Sequence, residues 1–231
     1  MPAPEPEIEQ LVIAIVVLGN FNPMIFHPLW FAQNDLIAEQ EVEQAKEVLT
    51  SDEVSTFQLN DIHFQIERER FGLTTKDASK AQTVRDLVRG SFSLLEHTPL
   101  TVVGLNQDTR FRLACHDAWN AVGDKFAPKP HWKGILDSPG MLGVSMLGTR
   151  TDCSADRISI RIAPASGLEN GVYVGVNQQY TIQTDKRSTI PDRNKEVMRI
   201  LNDDWNSFRK YAQSTALTLV SSDTSKEGAG Q

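Results

Sequence analysis

Hydrophobic positions along this chain follow two periods, and the order in which they alternate outlines the fold. Residues 11–18, LVIAIVVL, form an unbroken apolar run inside a segment from Ile8 to about Asn20. A run this short and this rich in Val and Ile predicts a central strand covered on both faces. The next stretch, FNPMIFHPLWF, cannot prolong it, because Pro23 and Pro28 offer no N–H to a ladder. Its large side chains Phe21, Ile25, Phe26, Trp30 and Phe31 predict an ordered connection pressed onto the core. The competing reading is a recognition loop anchored by Phe26, His27 and Trp30.

Ile37, Val42, Ala45, Val48 and Leu49 make a thin apolar stripe that predicts a helix over about 34–49. VSTFQL, DIHFQIE and RFGLTT then read as an antiparallel meander over 54–75, with a tight turn at Asn60-Asp61. Between Ser79 and Glu96, Ala81, Val84, Leu87, Val88, Phe92 and Leu95 recur at helical intervals, and Thr98-Pro99 closes that helix.

The pattern then starts again. Val103, Leu105, Phe111, Leu113 and Cys115 share one face of a long strand from Leu100, with a bulge or bend expected at Gln107–Thr109 where polar residues interrupt. Ala118, Trp119, Val122 and Phe126 mark a short helix, and Pro128, Pro130, Trp132 and Ile135 a packed turn. Three strands follow: MLGVSMLGT, RISIRIA with Ile158, Ile160 and Ile162 inward, and GVYVGVNQQYTIQ. A closing helix capped by Asp192 carries Val197, Ile200, Leu201, Trp205, Phe208, Tyr211, Ala212 and Ala216 on one stripe.

The expected architecture is therefore α+β, with two related βαβββα halves whose antiparallel sheets are covered by helices. The first half runs over 8–98 and the second over 99–220, packed as one compact unit. A disordered leader at 1–7 and a disordered tail at 221–231 flank them. VVLGNFN at 16–22 and VVGLNQ at 102–107 give the opening strands a shared local look. The alternative arrangement is a helix grip, in which one curved sheet surrounds the C-terminal helix.

Composition narrows the function more than it defines it. The 231 residues carry a net charge of -7, unevenly spread, with ten acids against one base, Lys46, in residues 1–53. That cluster is either a solvated face or a surface that meets a basic partner or a second copy, and it disfavours nucleic acid, whose binding needs a concentrated basic face. No apolar run approaches the twenty residues of a membrane span. Two cysteines, Cys115 and Cys153, are too few for a disulfide framework, and read as inert buried thiols in a reducing cytoplasm.

Motifs that carry chemistry are missing: the chain has no P-loop, GxGxxG after a strand, HExxH, GxSxG or EF-hand loop. No cofactor and no metal site are expected, and no catalytic residue is assigned. Cys115, His116 and Asp117 suggest a triad, but neighbours on a strand point to opposite faces. Glu67 with Glu69 and Asp203 with Asp204 read as solvated carboxylates. The best candidates for binding are arginines that share strand faces: Arg68 with Arg70, Arg110 with Arg112, and Arg157 with Arg161. On neighbouring strands they would form a patch for phosphates or carboxylates. Otherwise they pair with Glu67, Glu69 and Asp156 and serve solubility, with the acidic first fifth of the chain as a further internal partner.

VVLGNFNPMIFHPLWF, RERFGLTT, LLEHTPLTVVGLN and PGMLGVSM together are similar to a family of uncharacterised bacterial hypothetical proteins with no established activity. The likeness spans most of 11–150. It implies a bacterial cytoplasmic setting, as an accessory to a mobile or defence-type gene cluster, and supplies no catalytic residues. The function expected is a noncatalytic protein-interaction or assembly module that binds another protein or itself. The alternatives are a small-molecule-binding domain, with a pocket under the C-terminal helix lined by Trp205, Phe208 and Tyr211, and a hydrolase with dispersed residues.

Overall fold

The computed structural model describes residues 5–153, 155–182 and 189–221. Residues 222–231 of the expected tail and 1–4 of the expected leader lie outside these residues, while Ser221 caps the last helix and Glu7 already belongs to the first strand. Among them, nine strands join into one antiparallel sheet: β1 (Glu7–Gly19), β2 (Lys46–Thr50), β3 (Val54–Leu59), β4 (Ile62–Glu67), β5 (Arg70–Thr75), β6 (Leu100–Arg112), β7 (Val144–Gly148), β8 (Arg157–Pro164) and β9 (Gly171–Thr181). Their order across the sheet is β2-β3-β4-β5-β1-β6-β9-β8-β7. The helices are α1 (Pro28–Gln33), α2 (Glu39–Val42), α3 (Ala81–Leu94), α4 (His116–Phe126), α5 (Ile190–Arg199) and α6 (Trp205–Val220). The α+β class therefore holds.

The two halves join across their longest strands. β1 and β6 pair antiparallel from Glu7 opposite Arg112 to Gly19 opposite Leu100, with register shifts near both ends of β1. On either side of that seam each half runs from a long strand through a helical segment and a meander whose last strand returns to pair with the first, then a helix. The halves are not both βαβββα, however: residues 46–50 add β2 as a fourth meander strand to the first half, against three in the second. The VVLGN and VVGLN look-alikes do not occupy equivalent places along their strands. They lie across the seam from one another, with Val17 opposite Val103.

Among the described residues, one face of the sheet is packed and the other is open. Ile13, Ile15 and Val17 of β1, Phe71 and Leu73 of β5, Val103 and Leu105 of β6, and Val174 and Val176 of β9 are buried on the packed face. α3 lies against β1 and β5, and α6 against β6 and β9, so helical cover is shared rather than given by one gripped helix. The alternating side chains Val12, Ala14 and Val16 stay half-exposed. β1 is thus not covered on both faces, as its unbroken apolar run suggested. Its open-face residues are flanked by polar neighbours, Asn106 and Asp108 on β6.

Several local expectations change for identifiable reasons. The helix expected over 34–49 breaks, because Asp35 and Glu47 adopt left-handed φ values of 56° and 54° and residues 46–50 pair as β2 instead. Both central residues of the Asn60-Asp61 turn have positive φ, 46° and 63°, as a tight hairpin requires. No register shift interrupts β6 at Gln107–Thr109. Gln107 and Thr109 remain in phase and are buried, and Arg209 Nε of α6 donates to Gln107 Oε1 at 2.8 Å. The residues around Trp132 and Ile135 are exposed rather than packed. The closing helix starts at Thr189, whose hydroxyl accepts the Asp192 N–H while the Asp192 carboxylate takes the Thr189 N–H. A π-turn at Ile200–Asp204 separates α5 from α6.

Candidate functional site

The aromatic segment after β1 is a plug. Phe26 sits 5.2 Å from Phe71 and 5.4 Å from Trp30, ring centre to ring centre, and is 1% exposed. Phe31 packs on Phe64 at 5.1 Å. The Ser55 hydroxyl, itself buried, donates to the Phe26 carbonyl at 2.6 Å and fixes the path of the chain. His27 caps α1, its Nδ1 accepting the Leu29 N–H at 3.2 Å, and Trp30 is half-buried against the plug. Phe26, His27 and Trp30 therefore organise the interior, and Phe26 presents nothing to a partner.

Under α6 two of the rings expected to line a pocket are packed away from solvent. Trp205 and Phe208 are fully buried, and the Arg150 guanidinium lies 4.0 Å above the ring of half-buried Tyr211. Arg150 also donates to Gln178 and Asp152, at 2.9 and 2.6 Å, and Gln178 donates to the Tyr180 hydroxyl. The bonded Asp152 carboxylate raises the Arg150 pKa, while burial lowers that of Arg209. The three aromatic residues expected to line a pocket are packing elements.

The arginines divide. Arg70, Arg110, Arg157 and Arg161 stand on the open face, since their cross-strand partners Leu18, Gln10, Gln179 and Gly175 do. Arg68, in the β4–β5 turn, pairs with Glu53 at 2.8 Å and Asp52 at 3.3 Å. Arg112 pairs with Glu9, which lowers the Glu9 pKa and raises its own. Arg157 donates to Gln179 at 2.6 Å, and Asp156 accepts the Thr181 N–H. Glu67, Glu69 and Asp156 bond none of these arginines, and Glu67 instead accepts the Gln65 amide at 2.7 Å; the acidic first fifth of the chain is the partner that does, through Glu9, Asp52 and Glu53. Because β1 separates β5 from β6 and β9 separates β6 from β8, the arginine-bearing strands alternate with others. Two strands apart is about 10 Å, too far for one small anion to touch every pair.

A tighter constellation forms where the sequence showed only a polar interruption. Asp108 of β6 lies in register with Val12 of β1 on one side and with Gly175 of β9, then Arg161 of β8, on the other. The Tyr173 hydroxyl donates to Asp108 Oδ1 at 2.8 Å. Burial raises the Asp108 pKa against the opposing pull of that bond, and burial beside this carboxylate pushes the Tyr173 phenol well above its usual range. Asp108, Tyr173, Arg110, Lys76, Gln10 and Val12 line a depression of about 360 Å³. Strict period-two counting through NQDTR would have placed Asp108 on the face of Arg110; assuming a bulge hid it.

The two sheet edges also differ. β2 is guarded: it carries Lys46 and Glu47, and its pairing with β3 is broken between Lys46 and Leu49. β7, VSMLG, has no charge, no proline and an unbroken register with β8. Leu142, Met146 and Leu147 are 92%, 66% and 64% exposed, and Ile135 and Leu136 of the preceding segment are exposed too.

Catalytic arrangements do not assemble from the expected residues. Cys115 caps α4 instead of ending a strand, and the His116 ring stacks on Trp119 at 5.3 Å. Cys115 is exposed and Cys153 half-buried, both as free thiols, so neither is the deeply buried group expected. Asp203 and Asp204 each lie 4.0 Å from Arg199. Among the described residues no group of three or more His, Cys, Asp or Glu side chains could hold a metal, and no helix is long and apolar enough to cross a membrane. Comparison with protein-family models returns no match, and no curated protein matches the chain.

Proposed function

We propose that this protein is a noncatalytic assembly module whose β7 edge pairs antiparallel with the β7 edge of a second copy. The unguarded edge carries the reading: a strand with free backbone donors and acceptors, flanked by exposed apolar side chains, is a template for another strand unless charge, proline or a bulge blunts it. Pairing centred on Met146 sets Ser145 opposite Leu147 and Val144 opposite Gly148, so no like charges meet. Geometry favours β7 over β2 for self-association. The acidic residues of 39–53 sit at the β2 end, about 38 Å away across eight strand spacings, well beyond the ~8 Å over which salt screens charge. Joining through β7 keeps those acidic ends apart, whereas joining through β2 would press them together.

The complete burial of Trp205 and Phe208 supports assembly over a ligand pocket under α6. The matched routes of the two halves support descent from a tandem duplication, and two free thiols fit the reducing cytoplasm of a bacterial cell. Sedimentation equilibrium tests the reading. The wild type is expected to sediment as a dimer, and the Met146→Lys/Leu147→Lys double variant as a monomer with an unchanged far-ultraviolet circular dichroism spectrum. A wild type that stays monomeric at high micromolar concentration, or a folded double variant with the wild-type mass, overturns it.

A further inference from the structure

The depression around Asp108 is independent of that interface, since it is lined from β1, β6, β9 and the end of β5 while β7 lies at the sheet's edge. We infer that it is a binding site for a small polyol carrying a phosphate or carboxylate. Lys76 and Arg110 approach from two sides of β1, and neither has an ion-pair partner within 4 Å among the described residues. Arg110 also feels the Asp108 carboxylate across the hollow, so the two cations leave one positive charge beyond what Asp108 offsets, and in a chain of net charge -7 that excess is a site for an oxyanion. Asp108 sets the second requirement. Tyr173 occupies one of its oxygens, and the carboxylate would repel a ligand that offered only negative charge. Hydroxyl groups satisfy it, with the Gln10 amide placed to add a further donor or acceptor.

Gly175 shows that this pair is accommodated at some expense to the strand. A glycine in the middle of a strand weakens it. Here a Cβ at 175 would collide with the Tyr173 hydroxyl and come within 2.9 Å of Asp108 Oδ1, so the missing side chain is what lets the pair form. The hollow's volume of about 360 Å³ falls within the range of small-ligand sites, and Val12 adds an apolar side chain to its lining.

The test is a titration of the full chain with glucose 6-phosphate and with glucuronate, using glucose and inorganic phosphate as controls, followed by amide chemical shifts. Glucose 6-phosphate or glucuronate should bind saturably at millimolar concentration or below, at least tenfold more tightly than either control, and shift the amides of Asp108, Arg110 and Tyr173. Arg110→Gln and Lys76→Gln, both at exposed positions, should each weaken binding about tenfold without altering the rest of the spectrum. Three results each refute the inference: no saturable binding of either hydroxylated anion, phosphate alone binding as tightly as glucose 6-phosphate, or variants that bind like the parent. Because oligomeric mass is read separately, failure here leaves the β7 interface standing, and the reverse.

Discussion

Replacing Phe26 with alanine separates a structural plug from a recognition loop. The side chain is 1% exposed, meets Phe71 and Trp30 edge to face at 5.2 and 5.4 Å, and lies 6.3 Å from Phe31. A buried Phe→Ala change costs about 3–5 kcal/mol, which includes lost transfer energy and the cavity left behind. The upper half of that range applies here, because the aromatic pairs each add about 0.5–1.5 kcal/mol and Ser55 holds the Phe26 backbone so that the site cannot collapse. For a chain of this size that corresponds to a fall in melting temperature of about 8–20 °C. Denaturant unfolding followed by tryptophan fluorescence, which Trp30 reports directly, and by circular dichroism measures it. The dimer mass should survive under conditions where the variant is folded. A loss below about 1 kcal/mol together with loss of the dimer would refute the plug and restore the recognition loop.

Two further outcomes follow from groups that sequence patterns misplaced. Gln107→Leu should cost about 1–3 kcal/mol, because it leaves the half-buried Arg209 without its carbonyl acceptor; Gln107→Leu/Arg209→Met should cost less than the two single changes combined, and strict additivity in denaturant melts would count against the contact. Asp108→Asn concerns pH. Burial raises the folded-state pKa of Asp108 above the unfolded value of 3.8, so the stabilising protonated form is fully present below 3.8 and is lost as pH rises through the folded value. The variant cannot ionise, yet still accepts from Tyr173. It should melt higher than the parent at neutral pH, with the gap closing in acid below about pH 4; a pH-independent gap would show that burial does not govern this carboxylate.

How far the sequence could be read depended on whether an element's signal was local. The Asn60-Asp61 turn, the stripe of α3 and the alternation in RISIRIA each act within a few residues, and all appear where expected. The stretch from 34 to 49 failed because apolar spacing alone cannot reveal that Asp35 and Glu47 turn left-handed, nor that β3 is available to recruit residues 46–50. The unbroken LVIAIVVL run suggested two covered faces, whereas among the described residues nothing covers one of them and its neighbours are polar. The site suffered most from a single choice. Treating NQDTR as a bulge shifted Asp108 away from Arg110 and hid Gln107 as a core residue, since only the distant α6 supplies the arginine that lets an amide lie buried there. Tyr173 and Lys76 join Asp108 through strand pairings separated by many residues, and no local pattern encodes those.

The β1–β6 seam makes this chain, in effect, two subunits on a tether. Either half alone would present a bare thirteen-residue strand, and the short stretch between α3 and β6 keeps the complementary strand at an effective concentration that free fragments would have to match by mass. Severing it would turn a unimolecular stability into a bimolecular one, so that dilution, harmless to the intact chain, would begin to dissolve the fold.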